Sequence, residues 1–189
     1  RLTAARTEIA SLSLDRPRIM GILNTTPDSF SDGGQHTAVS DAVRAGQAMV
    51  AAGADILDIG GESTRPGADF VPVSEEITRT APVIAALRGA GLRTPISIDT
   101  RKSAVAEAAV SAGANLVNDV SGFTFDPALG PLCQTLGLPV CVMHAQGDPA
   151  TMHLDPRYDN VLLDVYDALE RQIAVLEASG IPRSAILAD

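Results

Sequence analysis

Short apolar runs recur along the chain at 18–23, 55–59, 95–98, 116–120, 139–143 and 185–188. Runs this short and this rich in Val, Ile and Leu read as strands buried on both faces, as parallel strands are. The segments between them change to helical spacing. Ser40 precedes Asp41-Ala42-Val43, with Gly53 closing that helix; Ser74-Glu75-Glu76 opens another, in which Ile77, Ala81, Ile84 and Leu87 share a face and Pro82 is expected to kink the axis. The clearest helix is capped by Asn160, presents Leu162, Val165, Leu169, Ile173 and Leu176 to the core, and stops at Gly180. Two stretches run in step, Ala52-Gly53-Ala54-Asp55-Ile56-Leu57-Asp58 and Ala112-Gly113-Ala114-Asn115-Leu116-Val117-Asn118, each a helix stop followed by a buried strand.

Strands alternating with helices leave two architectures, an open doubly wound sheet or a TIM (β/α)8 barrel. A dinucleotide fold would place a G-x-G-x-x-G turn after its first strand, and none is present. Polar residues instead end every strand: Asn24, then Asp58 and Glu62, Asp99, Asn118 with Asp119, His144, and Asp189. A barrel brings such ends to one mouth, so an α/β barrel is the expected fold. The pattern supplies six strands and about five helices where a closed barrel has eight of each. The expectation is therefore a single barrel domain over 1–189, truncated after its sixth strand, which leaves parallel edges open and does not fold stably alone.

With 46% hydrophobic and 20% charged residues, the chain can bury a substantial core. No apolar run approaches the length of a membrane span, and no signal core follows the first basic residues, so the expected compartment is the cytoplasm. A net charge of −9 without a basic run argues against a nucleic-acid partner and for a small-molecule one. Cys133 and Cys141 are spaced unlike a metal or redox pair and lie in apolar surroundings, as buried reduced thiols do.

Candidate chemistry concentrates where strands give way to turns. The segment Ile22-Leu23-Asn24-Thr25-Thr26-Pro27-Asp28-Ser29-Phe30-Ser31-Asp32-Gly33-Gly34 cannot continue a strand past Pro27 and reads as a functional loop. Within it, Asn24 is either a turn former or an oxygen ligand. The segment Ser63-Thr64-Arg65-Pro66-Gly67 offers a hydroxyl and a guanidinium suited to bidentate phosphate recognition, or is a plain surface turn. Asp99 is either a cap for the helix starting near Lys102 or a site acid, and Arg101 and Lys102 are assigned to that helix start. Asn118 and Asp119 both read as turn formers after a strand, with Asp119 structural. His144 is taken as structural, while His36 and His153 have no constellation around them.

Together, the segments 22–34 and 58–67, with Ile96-Ser97-Ile98-Asp99-Thr100-Arg101, Asn118-Asp119-Val120-Ser121-Gly122 and Ile186-Leu187-Ala188-Asp189, closely resemble the dihydropteroate synthases, pterin-binding enzymes of folate synthesis. The resemblance implies a transferase that joins 6-hydroxymethyl-7,8-dihydropterin diphosphate to p-aminobenzoate, giving 7,8-dihydropteroate and pyrophosphate, and a sulfonamide target. By the same resemblance, Asp99, Asn118 and Asp189 hold the pterin with Met143 packing near its ring. Asn24 binds Mg2+ beside the diphosphate, Thr64 contacts the pterin, and Arg65 assists the diphosphate. Phe30, Ser31 and Asp32 belong to a loop over the p-aminobenzoate pocket. Asp99 and Arg65 are the catalytic pair so implied, and the intact enzyme is a homodimer. The family's seventh-strand lysine and eighth-strand Arg-x-His segment have no counterpart in these 189 residues, so useful turnover is not expected of this chain by itself. The alternatives are a methyltransferase of the methyltetrahydrofolate-using pterin-binding type and a noncatalytic pterin-binding fragment.

Overall fold

Six strands lie side by side in the order of the chain, all parallel, in a computed structural model that describes residues 6–26, 34–63, 69–147 and 155–189. They are β3 (Met20–Asn24), β4 (Ile56–Gly60), β5 (Ile96–Asp99), β6 (Leu116–Asp119), β7 (Val140–Val142) and β8 (Ile186–Ala188). Between them run α1 (Gly34–Ala51), α2 (Val73–Gly89), α3 (Ser103–Ala112), α4 (Leu129–Leu136) and α5 (Val161–Ala178). A doubly wound sheet reverses its strand order at a switch point, and this one does not reverse. Sequential winding is the geometry of a (β/α) barrel wall.

Strand alternation gives the sheet two distinct faces. Leu23, Leu57, Ile59, Ile96, Ile98, Val117, Val140, Val142 and Ile186 turn toward the helices and are almost completely buried there with Ile84, Leu87, Val105 and Ile173. The opposite face carries Ile22, Asn24, Asp58, Gly60, Ser97, Asp99, Leu116, Asn118, Cys141 and Leu187, one residue out of phase. A hairpin of β1 (Glu8–Ile9) and β2 (Leu12–Ser13) packs Ile9 against Leu116 and Cys141, closing part of this inner face.

The in-step segments prove to be one structural device used twice. Gly53 and Gly113 take positive φ, at 109° and 118°, which ends the helix and reverses the chain. Two residues later Asp55 accepts the Ile19 N–H at 2.9 Å, and Asn115 accepts the Ile96 N–H at 2.7 Å. Each side chain fixes the start of the neighbouring strand. Arg16 and Arg18 also converge on Asp55, whose carboxyl is held below its usual range chiefly by the Ile19 N–H.

Several local expectations shift. Helix α1 begins at Gly34 rather than near Ser40, because no proline interrupts 34–40 and helical backbone propagates through Ser40. Helix α2 runs from Val73 to Gly89 through Pro82 without a break, starting after Pro72 with no side-chain cap, and its buried stripe adds Glu76 and Thr80 to Ile84 and Leu87, with Ile77 partly buried against the core. Asn160 caps α5 as expected, accepting the Leu163 N–H, whereas Leu162 is exposed. Both cysteines are buried and unpaired, and burial pushes each thiol up to about 12. Among the described residues, no helix is long and apolar enough to cross a membrane.

Candidate functional site

Register brings the inner-face residues into one line. Asn24 stands opposite Gly60, Gly60 opposite Asp99, and Asp99 opposite Asn118, so four strands contribute one residue each to a row at their carboxyl ends. Directly beneath, Asp58 stands opposite Ser97. Asn118 donates from Nδ2 to Asp58 Oδ2 at 3.2 Å, joining the two levels across β5. Asp189 follows Ala188 at the end of β8; its N–H donates to Val142 O, and its carbonyl accepts the His144 N–H.

Asp99 is not a helix cap. The first N–H of α3, that of Ser103, donates to Asp126 Oδ2 at 2.8 Å from the β6–α4 connection, and no cap bond runs to Asp99. Burial, reinforced by the charges of Asp58, Asp119, Glu76 and Glu62, raises the Asp99 carboxyl to about 8. It is therefore largely protonated at neutral pH and can donate a hydrogen bond. Burial likewise raises Asp58, with the Asp189 charge adding to it against hydrogen bonding from Ser97 and Asn118. The Ser97 hydroxyl is near enough to favour charge on Asp58, yet Ser97 Oγ and Asp58 Oδ1 are both buried without a hydrogen bond of ordinary geometry.

Asp119 points to the other face and organises its own loop. Its carboxylate accepts the Ser121 N–H, the Ser121 hydroxyl and the Phe123 N–H, holding Phe123 at a φ of 64°. Met143, just past β7, borders a cavity of about 260 Å³ with Ser121, Thr124, His144, Leu169 and Gln172. His144 Nε2 lies 3.1 Å from the Tyr158 hydroxyl, as fits a structural histidine.

Among the described residues, no group of three or more His, Cys, Asp or Glu side chains could enclose a metal ion. A Cβ on Gly60 would lie 3.5 Å from Asp99 Oδ2 and 3.6 Å from Asn24 Oδ1, so the missing side chain leaves an opening bordered by two hard oxygen donors. That donor set suits Mg2+, which keeps water and phosphate oxygens as its other ligands.

Phe30, Ser31, Asp32, Thr64 and Arg65 lie outside the described residues. Of the remaining expected site residues, Asn24, Asp99 and Asn118 share the row. Asp58 was noted in the sequence only as a strand-end acid; its place two residues before Gly60, on the same face, is the signal that singles it out. Sequence reading also missed the charge cluster of Glu62, Glu76, Arg101 and Lys102 beside the row.

The profile of a family described as pterin binding enzyme matches residues 20–189. The chain is 50% identical over 175 residues to a Haloferax volcanii protein named as a probable bifunctional folylpolyglutamate synthase/dihydropteroate synthase, covering 93% of this chain and 20% of that protein. It is 46% identical over 179 residues to the dihydropteroate synthase of Escherichia coli, covering 95% of this chain and 63% of that enzyme. A solved structure of Xanthomonas albilineans dihydropteroate synthase with 4-aminobenzoic acid superposes with a TM-score of 0.88 at 47% identity, over 99% of this chain and 66% of that one. The chain thus spans less than two thirds of the length of each.

Proposed function

The chain belongs to the pterin-binding enzyme family, and on that premise we propose that it serves the dihydropteroate synthase reaction of folate biosynthesis. The observation that carries this reading is the pocket floor, where Asp58, Asp99 and Asn118 converge. A 2-amino-4-oxo pterin presents a row of donors and acceptors along one edge. Two carboxyl groups with an amide beside them match such an edge and reject a heterocycle that leaves one unpaired.

In the proposed reaction, the bond between the pterin's exocyclic carbon and the diphosphate oxygen breaks, and its electron pair leaves with the diphosphate. The p-aminobenzoate nitrogen then donates its lone pair to that carbon and releases a proton to water. Positive charge on the ring favours ionised Asp99, reversing the effect that neighbouring acids have in the empty pocket. Asp99 thereby stabilises the cation, Asn118 and Asp189 orient the ring with Met143 beside it, and Thr64 contacts the pterin. Arg65 pairs with the diphosphate, and Phe30, Ser31 and Asp32 border the p-aminobenzoate. Mg2+, held by Asn24 and diphosphate oxygens, would supply neutralisation of the leaving group's charge. The same reading includes a cytoplasmic protein that pairs as a homodimer.

The test is pyrophosphate release by the purified protein supplied with the pterin diphosphate, p-aminobenzoate and Mg2+. Release that depends on the amine supports the synthase. Binding of 6-hydroxymethylpterin without any release, in a protein spanning the full length of its relatives, would favour a noncatalytic pterin binder.

A further inference from the structure

Helix α2 meets the end of β4 at a place where only glycine fits. A Cβ on Gly61 would lie 2.7 Å from Thr80 Cγ2 and 3.0 Å from Glu76 Cγ, so the bare backbone there lets the helix settle against the strand. Glu76 is 0% exposed at this approach, with Thr100 at 4% and Lys102 at 3%. The two oxygens of its carboxylate have different partners: Oε1 accepts the Thr100 hydroxyl at 2.6 Å, and Oε2 accepts from Lys102 Nζ at 2.5 Å. Lys102 Nζ also donates to Val71 O at 2.8 Å and lies 3.0 Å from Glu62 Oε2.

Asp99 is the last residue of β5, and residues 100–102 are the whole connection from it to α3. A single carboxylate on α2 thus grips both ends of that connection. Thr100 is held by its main chain as well: its N–H donates to Asn118 O at 3.0 Å, while its hydroxyl oxygen accepts the Lys102 N–H at 3.2 Å. The residue next to Asp99 is therefore fixed to Asn118 on one side and to Glu76 on the other, and Asp99 itself stands opposite Asn118 in the sheet. Taking two charges out of water is costly, and apolar residues of similar volume often fill such a space with no loss of stability. The direction that the Glu76–Lys102 pair imposes accounts for it better than stability does. An acid at the end of a strand, where the ladder stops, needs its backbone held from outside the sheet if its carboxyl is to meet one edge of a ligand.

We propose that Glu76 is a positioning residue for Asp99. Resting on the functional reading above, it holds the β5–α3 connection through Thr100 and Lys102, and so sets the height and rotation at which the Asp99 carboxyl meets the pterin edge beside Asn118.

The experiment titrates 6-hydroxymethylpterin by fluorescence into the unaltered protein and into Thr100→Val, Thr100→Ser, Glu76→Gln, Asp99→Asn and the double variant of Thr100→Val with Asp99→Asn, with a urea midpoint for each. Thr100→Val removes the hydroxyl at nearly unchanged shape and is expected to weaken binding about tenfold, the scale of loss when a binding group is misplaced. Thr100→Ser keeps the hydroxyl and should stay within about twofold of the unaltered protein. Glu76→Gln should cost about threefold, since its amide oxygen can still accept from Thr100 while Lys102 loses an anionic partner. In the Asp99→Asn background, Thr100→Val should cost less than about twofold, as expected when one residue acts through the other. A purely structural role would lower the urea midpoint of Thr100→Val and leave the pterin affinity of the folded protein unchanged; that result overturns the proposal, as do additive losses from Thr100→Val and Asp99→Asn. Should Glu76→Gln fail to fold, the Thr100 pair decides the matter, because it breaks and restores the same contact from the other side. An unaltered protein that does not bind the pterin overturns the functional reading and this inference together; one that binds it, with Thr100→Val unchanged, overturns this inference only.

Discussion

Along β5, Ile96 and Ile98 turn toward the helices while Ser97 and Asp99 turn toward the pocket, and the same alternation divides the whole sheet. Asp119 apart, the helix face is apolar and almost completely buried. The pocket face buries Ser97 beside Asp58 without a hydrogen bond of ordinary geometry and raises the Asp99 carboxyl to about 8. Stability is thus concentrated on one side of the strands and recognition on the other, with only the width of a backbone between them. Because the side-chain period is two, neighbouring residues can answer to opposite demands.

The sharpest way to break this contrast is substitution at adjacent positions. Ile98→Ala, on the helix face at 0% exposure, should cost about 2–5 kcal/mol in urea unfolding through lost burial and the cavity left behind. Asp99→Asn, one residue on, should not lower stability at neutral pH and should weaken 6-hydroxymethylpterin binding about ten- to a hundredfold, the loss expected when a buried ligand group meets a mismatched partner. In turnover, the same variant should lower kcat more than it weakens pyrophosphate binding; equal losses would remove Asp99 from its stabilising role.

A third prediction concerns pH. Because the folded state raises Asp99 to about 8 from an ordinary 3.8, the folded protein binds the proton more tightly than the unfolded chain. That contribution is present in full below about pH 4 and is lost progressively as pH rises to about 8. Asp58 and Asp119, also raised, act in the same direction. Urea midpoints should show Asp99→Asn gaining on the unaltered protein as pH climbs through that window. A constant difference would mean that Asp99 is not desolvated in the folded state. The smallest effect belongs to Ile22→Ala, at 62% exposure on the pocket face, which should shift stability by less than about 0.5 kcal/mol. A loss as large as that of Ile98→Ala would erase the contrast between the faces.

Much of this division is legible in the sequence. The six apolar runs mark the strands to within a residue or two, since a strand buried on its helix face must be written in Val, Ile and Leu. The polar residue closing each run marks the mouth. What stays hidden depends on contacts far apart in the chain. Glu76 looks like a solvent-facing helix position until Lys102 and Thr100 arrive from the next βα unit. Asp99 looks like a cap until Asp126, from the unit beyond, takes that role. The β1–β2 hairpin escapes notice because its turn uses Ala10 and Ser11 at positive φ, without the Asn or Gly that normally announces such a turn. Asp58 sits in plain view, but its burial depends on neighbours from β5 and β6.

The paired use of Asp55 and Asn115 has a consequence for how such a protein changes over generations. Both anchor the beginnings of strands, at the end of the sheet remote from the row of Asn24, Gly60, Asp99 and Asn118. Alignment is set where no ligand reaches, so mutations that alter ligand preference at the mouth do not disturb the stagger of the wall beneath them. A lineage under pressure to discriminate among similar molecules can revise its vocabulary at one end while the grammar at the other is inherited unchanged.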